Sequence, residues 1–147
     1  MQKSQGFTLI ELLVVLFIVG ISFTFAVIAF GDFGKTRQAR YTAEGMKNTI
    51  ELYRDQAILE SSHFVIYTNK GGFEVFKYES SNPLLVPKEV FVNKINFANG
   101  IVISPNIKID ILPSRYITPF TLNFGTASQK QKVKLIGSIN GEIEVSN

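Results

Sequence analysis

Cysteine and tryptophan are absent from this 147-residue chain, and histidine occurs once, at His63. Without cysteine there is neither a disulfide framework nor a thiolate metal site. A lone histidine with no second histidine or cysteine makes no transition-metal constellation. His63 sits where a first strand is expected to begin, and it reads as a strand-edge residue. No nucleophile-elbow pattern accompanies it for Ser-His-Asp chemistry. Gly71-Gly72 opens no helix after a strand, so it reads as a turn and not as a phosphate cradle. Nothing here asks for an enzyme, a metal or a cofactor. The formal charge of +3 is too mild to imply nucleic-acid binding. Internal repeats and low-complexity tracts are also missing.

What is present begins at once. From Gly6 to Phe30 the chain is almost wholly apolar, and Glu11 is the only ionisable side chain in the 24 residues from Phe7 to Phe30. As a helix this stretch is roughly 36 Å long, enough to cross a hydrocarbon layer of ~30 Å with some tilt. A carboxylate inside such a segment is costly unless neutralised or paired. Two readings of Glu11 stand open on the residues alone. Near the membrane surface it is hydrated or protonated, or it awaits a positive charge brought by another chain.

An ordinary secretory signal competes for this segment. Val27-Ile28-Ala29 offers a weak small-x-small site, but Glu11 in the apolar core and a single leader lysine, Lys3, count against it. Charge also bears on orientation. Lys3 lies on one side, whereas Lys35, Arg37 and Arg40, against Asp32, lie on the other. By the positive-inside rule the C-terminal side would be cytoplasmic.

Beyond the anchor, Gly31 and Gly34 each weaken a helix by about 1 kcal/mol relative to alanine, and are expected to end it or loosen a joint. From Lys35 to Glu60 the pattern is helical. Ala39, Ala43, Met46, Ile50, Tyr53 and Ala57 form one stripe, expected to pack on the domain's own sheet, with Glu44 and Lys47 supporting the helix locally. After Ser61-Ser62 the period becomes two. Phe64–Tyr67 and Phe73–Tyr78 read as a hairpin whose Gly71 and Gly72 supply positive φ. Further strands are expected over residues 89–97, 101–104, 107–112, 120–124, 133–136 and 142–145, with turns at Asn99-Gly100 and Asn140-Gly141. A helix followed by many strands argues for an α+β layer structure. Lys130, Lys132 and Lys134 alternate through an expected strand and so share a face. They would either grip phosphates or an acidic partner, or protect a strand edge from self-pairing.

The opening residues also match a family. Lys3-Ser4-Gln5-Gly6, then Phe7-Thr8-Leu9-Ile10-Glu11-Leu12-Leu13-Val14-Val15, resembles the class III signal of type IV pilins and type II secretion pseudopilins. The resemblance implies a leader over residues 1–6, an anchor and assembly helix over 7–30, and a periplasmic domain over 31–147, with helix 35–60 and strands 63–145. It implies a pilin-like α+β fold, the long N-terminal helix packed on an antiparallel sheet. A prepilin peptidase would cut after Gly6 and methylate the amine of Phe7. That amine would then meet Glu11 of a neighbouring subunit, a register device more than a source of stability. It implies an inner-membrane anchor with the leader in the cytoplasm, opposite to the orientation that charge alone favours.

Arg54-Asp55-Gln56-Ala57-Ile58 leading to Val65-Ile66-Tyr67, with a closing Val133-Lys134-Leu135 and Gly141-Glu142-Ile143-Glu144-Val145, is similar to the protein H (FimT-like) minor pseudopilins. The acidic calcium loop of the major pseudopilin has no counterpart, since Asp110 is the only aspartate after Asp55. Implied partners are other minor pseudopilins, the major one and secreted protein cargo, in a pseudopilus that exports protein across the outer membrane. The alternative within this resemblance is a minor type IV pilin for pilus assembly or DNA uptake. DNA-binding relatives carry a basic, arginine-containing tail, whereas this tail, Glu142 to Asn147, is acidic and arginine-free. That departure counts against a nucleic-acid partner.

Overall fold

The structure is a computed structural model that describes residues 8–79, 87–98, 100–129 and 132–146, with the backbone alone over residues 27–33. A single helix, α1 (Leu9–Leu59), precedes strands β1 (His63–Asn69), β2 (Gly72–Glu79), β3 (Lys88–Asn96), β4 (Ile101–Ser104), β5 (Lys108–Ile111), β6 (Phe120–Thr126), β7 (Val133–Gly137) and β8 (Ile143–Ser146). The chain divides into two compact units, residues 1–34 and 35–147.

The first unit is the apolar part of the helix. Leu9–Ala26 is long and apolar enough to cross a membrane, and none of that window is buried within the chain. Its two hydroxyls are satisfied locally: Ser22 Oγ donates to the Ile18 carbonyl at 2.8 Å and Thr24 Oγ1 to that of Gly20 at 3.0 Å. Such back-bonding lets serine and threonine sit in an apolar helix without an orphaned donor. The helix continues through residues 31–34, so Gly31 and Gly34 do not end it. Low propensity alone does not stop a helix; captured terminal carbonyls do. That capture comes later. Ser62 N–H donates to the Ala57 carbonyl at 3.0 Å and Ser61 N–H to that of Ile58 at 3.4 Å, with Ser61 left-handed at φ 48. This is a Schellman stop, with serine in place of the usual glycine.

In the second unit, residues 35–59 of the helix carry the stripe read from the sequence. Ala39, Ala43, Met46, Ile50, Tyr53 and Ala57 are all buried. They share one core with two antiparallel four-stranded sheets, ordered β3-β2-β1-β5 and β4-β6-β7-β8. Phe64, Ile66, Phe73, Val75, Ile109 and Ile111 come from the first sheet; Ile101, Ile103, Leu122, Phe124, Val133 and Leu135 come from the second. Phe97 joins them, with ring centroids 6.0 Å from Phe73 and 5.9 Å from Phe124. On the solvent face of the helix Arg40 pairs with Glu44 and Lys47 with Glu51, so Glu44 is held from the preceding turn and not by Lys47.

The β1–β2 hairpin forms as read, with Asn69 opposite Gly72. Its glycines do different work from that expected. Positive φ among glycines occurs at Gly100 and Gly141, not at Gly71 or Gly72. Asn69 Oδ1 accepts from the Gly71 N–H at 3.0 Å and closes the turn. Gly72 is needed for close approach, because a Cβ there would lie 2.0 Å from the Ile95 carbonyl oxygen of β3.

Candidate functional site

Three groups of residues are candidates for function: the start of the anchor helix, the lysines near β7, and a polar cluster on the first sheet. Gly6 and Phe7 lie outside the described residues. Glu11 lies within them, and its surroundings were legible but missed. Thr8-Leu9-Ile10-Glu11 spells a capping box. Thr8 N–H donates to Glu11 Oε2 at 3.0 Å and Thr8 Oγ1–H to the same oxygen at 2.8 Å, while Glu11 N–H lies 3.4 Å from Thr8 Oγ1. Thr8 is therefore the cap and Leu9 the first helical residue. The carboxylate has two roles open to it at once. It satisfies donors that the helix start leaves unpaired, and it places negative charge where the helix dipole is positive. Both contacts fall on Oε2, which among the described residues leaves Oε1 as an acceptor for another group. The side chains that follow, Leu9 to Phe25, are exposed in the single chain.

The lysines are less tidy than their spacing. Lys130 lies outside the described residues, and Lys132 precedes β7 with its ammonium 3.4 Å from Thr36 Oγ1 of the helix. Lys134 is exposed on β7, which runs between β6 and β8 and so is not an edge strand.

The third group went unnoticed in the sequence because it is assembled across four strands. Glu89 of edge strand β3 accepts from Tyr78 Oη at 2.7 Å and Tyr67 Oη at 2.8 Å. These two phenols hold the Glu89 carboxyl below its usual range, Tyr78 more than Tyr67. The same bonds push both tyrosines up, since ionising either phenol would set it against the carboxylate. Beside them His63 stacks on Tyr78 at 4.5 Å and its Nε2 lies 3.0 Å from Asp110 Oδ1, which Lys108 also approaches at 3.2 Å. Here the lone histidine belongs to a packed polar latch that ties β3 and β5 to the centre of the sheet. No three-residue group of His, Cys, Asp or Glu suited to a metal ion occurs among the described residues. A separate cleft of about 560 Å³ is lined by Lys47, Glu51, Arg54, Arg115 and Glu142. Its charges are of both signs, and Arg54 Nη1 donates to the Gly141 carbonyl at 2.7 Å, which braces the β7–β8 turn.

Residues 1–27 match the prokaryotic N-terminal methylation motif. Type II secretion system protein H of Pseudomonas aeruginosa is 29% identical over 87 residues, covering 59% of this chain and 51% of that protein. The chain thus spans about half the length of that curated relative. Two structures of the minor pseudopilin EpsH from the type 2 secretion system of Vibrio cholerae share the fold. Their TM-scores are 0.61 and 0.62 at 14% identity, covering 74% and 76% of this chain and 95% and 94% of theirs. The chain thus carries the methylation motif, is similar in sequence to protein H over 87 residues, and shares the fold of the EpsH structures.

Proposed function

We propose that this protein is a structural component and not an enzyme: a minor pseudopilin near the tip of a type II secretion pseudopilus, helping its assembly and protein export across the outer membrane. The observation that carries this reading is the methylation motif joined to an apolar helix that leaves its side chains unburied in the single chain. Such a surface calls for lipid before assembly and for other helices after it. In this reading the chain is anchored in the inner membrane with its β-rich domain in the periplasm. A prepilin peptidase cleaves after Gly6 and methylates Phe7. The amine of Phe7 on one subunit then meets Glu11 of a neighbour, which is another minor pseudopilin or the major one, while the domain contacts partners or cargo. The capping contact supports this role. Both Thr8 contacts fall on Oε2, so capping and pairing draw on different oxygens of the carboxylate.

The experiment separates capping from pairing. Thr8→Ala removes the hydroxyl but keeps the carboxylate, whereas Glu11→Ala removes the carboxylate. Both variants are expected to insert in the membrane. Only Glu11→Ala is expected to lose co-purification with pseudopilin partners and secretion. Equal loss in the two variants assigns Glu11 to capping alone and defeats the pairing role. Mass spectrometry of the mature N-terminus is expected to give N-methylphenylalanine at Phe7; a chain beginning at Met1 or beyond Ala29 overturns the reading as a whole.

A further inference from the structure

We infer that the outer edge of β3 is an interface between two copies of this chain, which pair antiparallel through their β3 strands and so join their first sheets. This pairing involves the second unit alone and does not depend on the role of the anchor. Four strands lie at sheet edges: β3, β5, β4 and β8. Three of them are covered or short. Thr118 N–H donates to the Asp110 carbonyl of β5 at 3.0 Å, Ile103 N–H of β4 donates to the Lys70 carbonyl at 3.1 Å, and β8 has four residues. β3 has nine, and among the described residues no loop bonds to its backbone. Lys94 N–H donates to Asn93 Oδ1 of its own strand at 2.8 Å, a local bond that an incoming carbonyl can replace. The strand also carries three consecutive exposed apolar residues, Val90, Phe91 and Val92, with Phe91 57% exposed. A long edge of that composition is a template for another strand.

The occupant follows from an irregularity in β3. Glu89, Phe91 and Lys94 stand opposite Tyr78, Phe76 and Glu74 of β2, and the register shifts between Phe76 and Val75, leaving Val92 unpaired. Tyr78, Phe76 and Glu74 alternate along β2 and so share a face. The side-chain contacts agree. Glu89 accepts from Tyr78 Oη at 2.7 Å, the Phe91 ring lies 5.7 Å from that of Phe76, and Lys94 Nζ is 2.8 Å from Glu74 Oε1. In a regular strand Glu89 and Lys94, five residues apart, would face opposite sides. The bulge returns them to one side and to one hydrogen-bonding sense. Two residues that share both can sit directly opposite each other across a two-fold axis.

With that axis between Phe91 and Val92, Glu89 of each copy faces the partner's Lys94, Val90 faces the partner's Asn93, and the apolar triplets meet at the centre. Both tyrosine contacts to Glu89 fall on Oε1, so among the described residues Oε2 is open to the partner's ammonium. An ammonium has three donors, and Lys94 can therefore keep Glu74 while it reaches across. Edge lysines ordinarily discourage pairing. Here opposite charges fall directly across from each other, which favours a second copy.

The absence of native cysteine makes this register testable by cross-linking. Full-length V90C and N93C chains are oxidised in mild detergent, alone and mixed. Positions 90 and 93 of opposed copies lie within the Cα separation of about 4.4–6.8 Å that a disulfide needs. The mixture is expected to give severalfold more disulfide-linked dimer than either chain alone. V90C mixed with S128C, at an exposed position in the β6–β7 connection, is expected to give no such gain. K94E in both chains sets a carboxylate opposite Glu89 and is expected to lower the yield severalfold. K88E, exposed on the same strand but opposite the partner's Ile95, is expected to keep it. If circular dichroism shows that K94E is not folded, K94Q takes its place. Equal yields from the mixture and the separate chains, or a yield indifferent to Lys94, overturn the inference. So does V90C joined in intact cells to a chain of different mass with no self-link in detergent, which assigns the edge to another protein.

Discussion

Gly137, the last residue of β7, offers a change whose sign differs between local propensity and tertiary packing. By propensity alone, Gly137→Ala in a strand should stabilise by about 0.5–1 kcal/mol. In the fold, Gly137 lies opposite Phe120 of β6. A Cβ at this position would fall 2.2 Å from Phe120 Cε1 and 2.7 Å from both Cδ1 and Cζ. Ordinary contact begins near 3.4 Å, so the ring must retreat by more than 1 Å. Phe120 is only 6% exposed, and a close-packed interior has little room for it. Overpacking of this kind costs about 1–3 kcal/mol; turning the ring out to solvent instead forfeits a burial term of about 1.5–3 kcal/mol. After the propensity gain is set against this, a net loss of about 1–2 kcal/mol remains. The corresponding fall in Tm is roughly 5–15 °C. Urea denaturation of the full chain in mild detergent, followed by tyrosine fluorescence, reads the second unit without the helical signal of the anchor. Phe120→Leu removes the obstructing ring. The double variant is therefore expected to be more stable than the sum of the single losses by about 1 kcal/mol. Gly137→Ala at or above wild-type stability, or strict additivity with Phe120→Leu, would refute the packing argument.

Two more predictions concern the second unit. Ile50→Ala, at a fully buried position in the middle of the helix stripe, is expected to cost about 2–5 kcal/mol. Leu52→Ala, 55% exposed two residues on, should stay within about 0.5 kcal/mol in the same titration; similar losses at both positions would mean that the stripe does not face the core. The lowered pKa of Glu89 means that its contribution to stability is present above the ordinary carboxylate value and is lost as pH falls through its lower folded-state value. The raised pKa values of Tyr67 and Tyr78 act at the other end, where stability is lost as pH rises through their folded-state values, above about 10. Glu89→Gln should flatten the acid limb below about pH 4.5, the ordinary carboxylate value from which Glu89 is lowered. An acid limb identical to that of wild type would dissociate the latch from stability.

Periodicity and punctuation determined much of this protein without any fold in hand. The apolar run with one carboxylate, the helical stripe from Ala39 to Ala57 and the positions of the strands all follow from spacing, because burial of one face imposes its period on the sequence. The capping box at Thr8 and Glu11 was equally local and could be read from four residues. Only the tertiary structure decided how the strands divide into two sheets, since alternation fixes a buried face but not a neighbour. The latch around Glu89 draws on four strands, and its pKa shifts come from phenols 22 and 11 residues away. Gly72 reads locally as a turn residue, and Gly137 falls just past the strand expected over residues 133–136. Their need for hydrogen in place of a side chain is set by Ile95 and Phe120 from other strands, and a contact between distant segments leaves no mark on the local pattern.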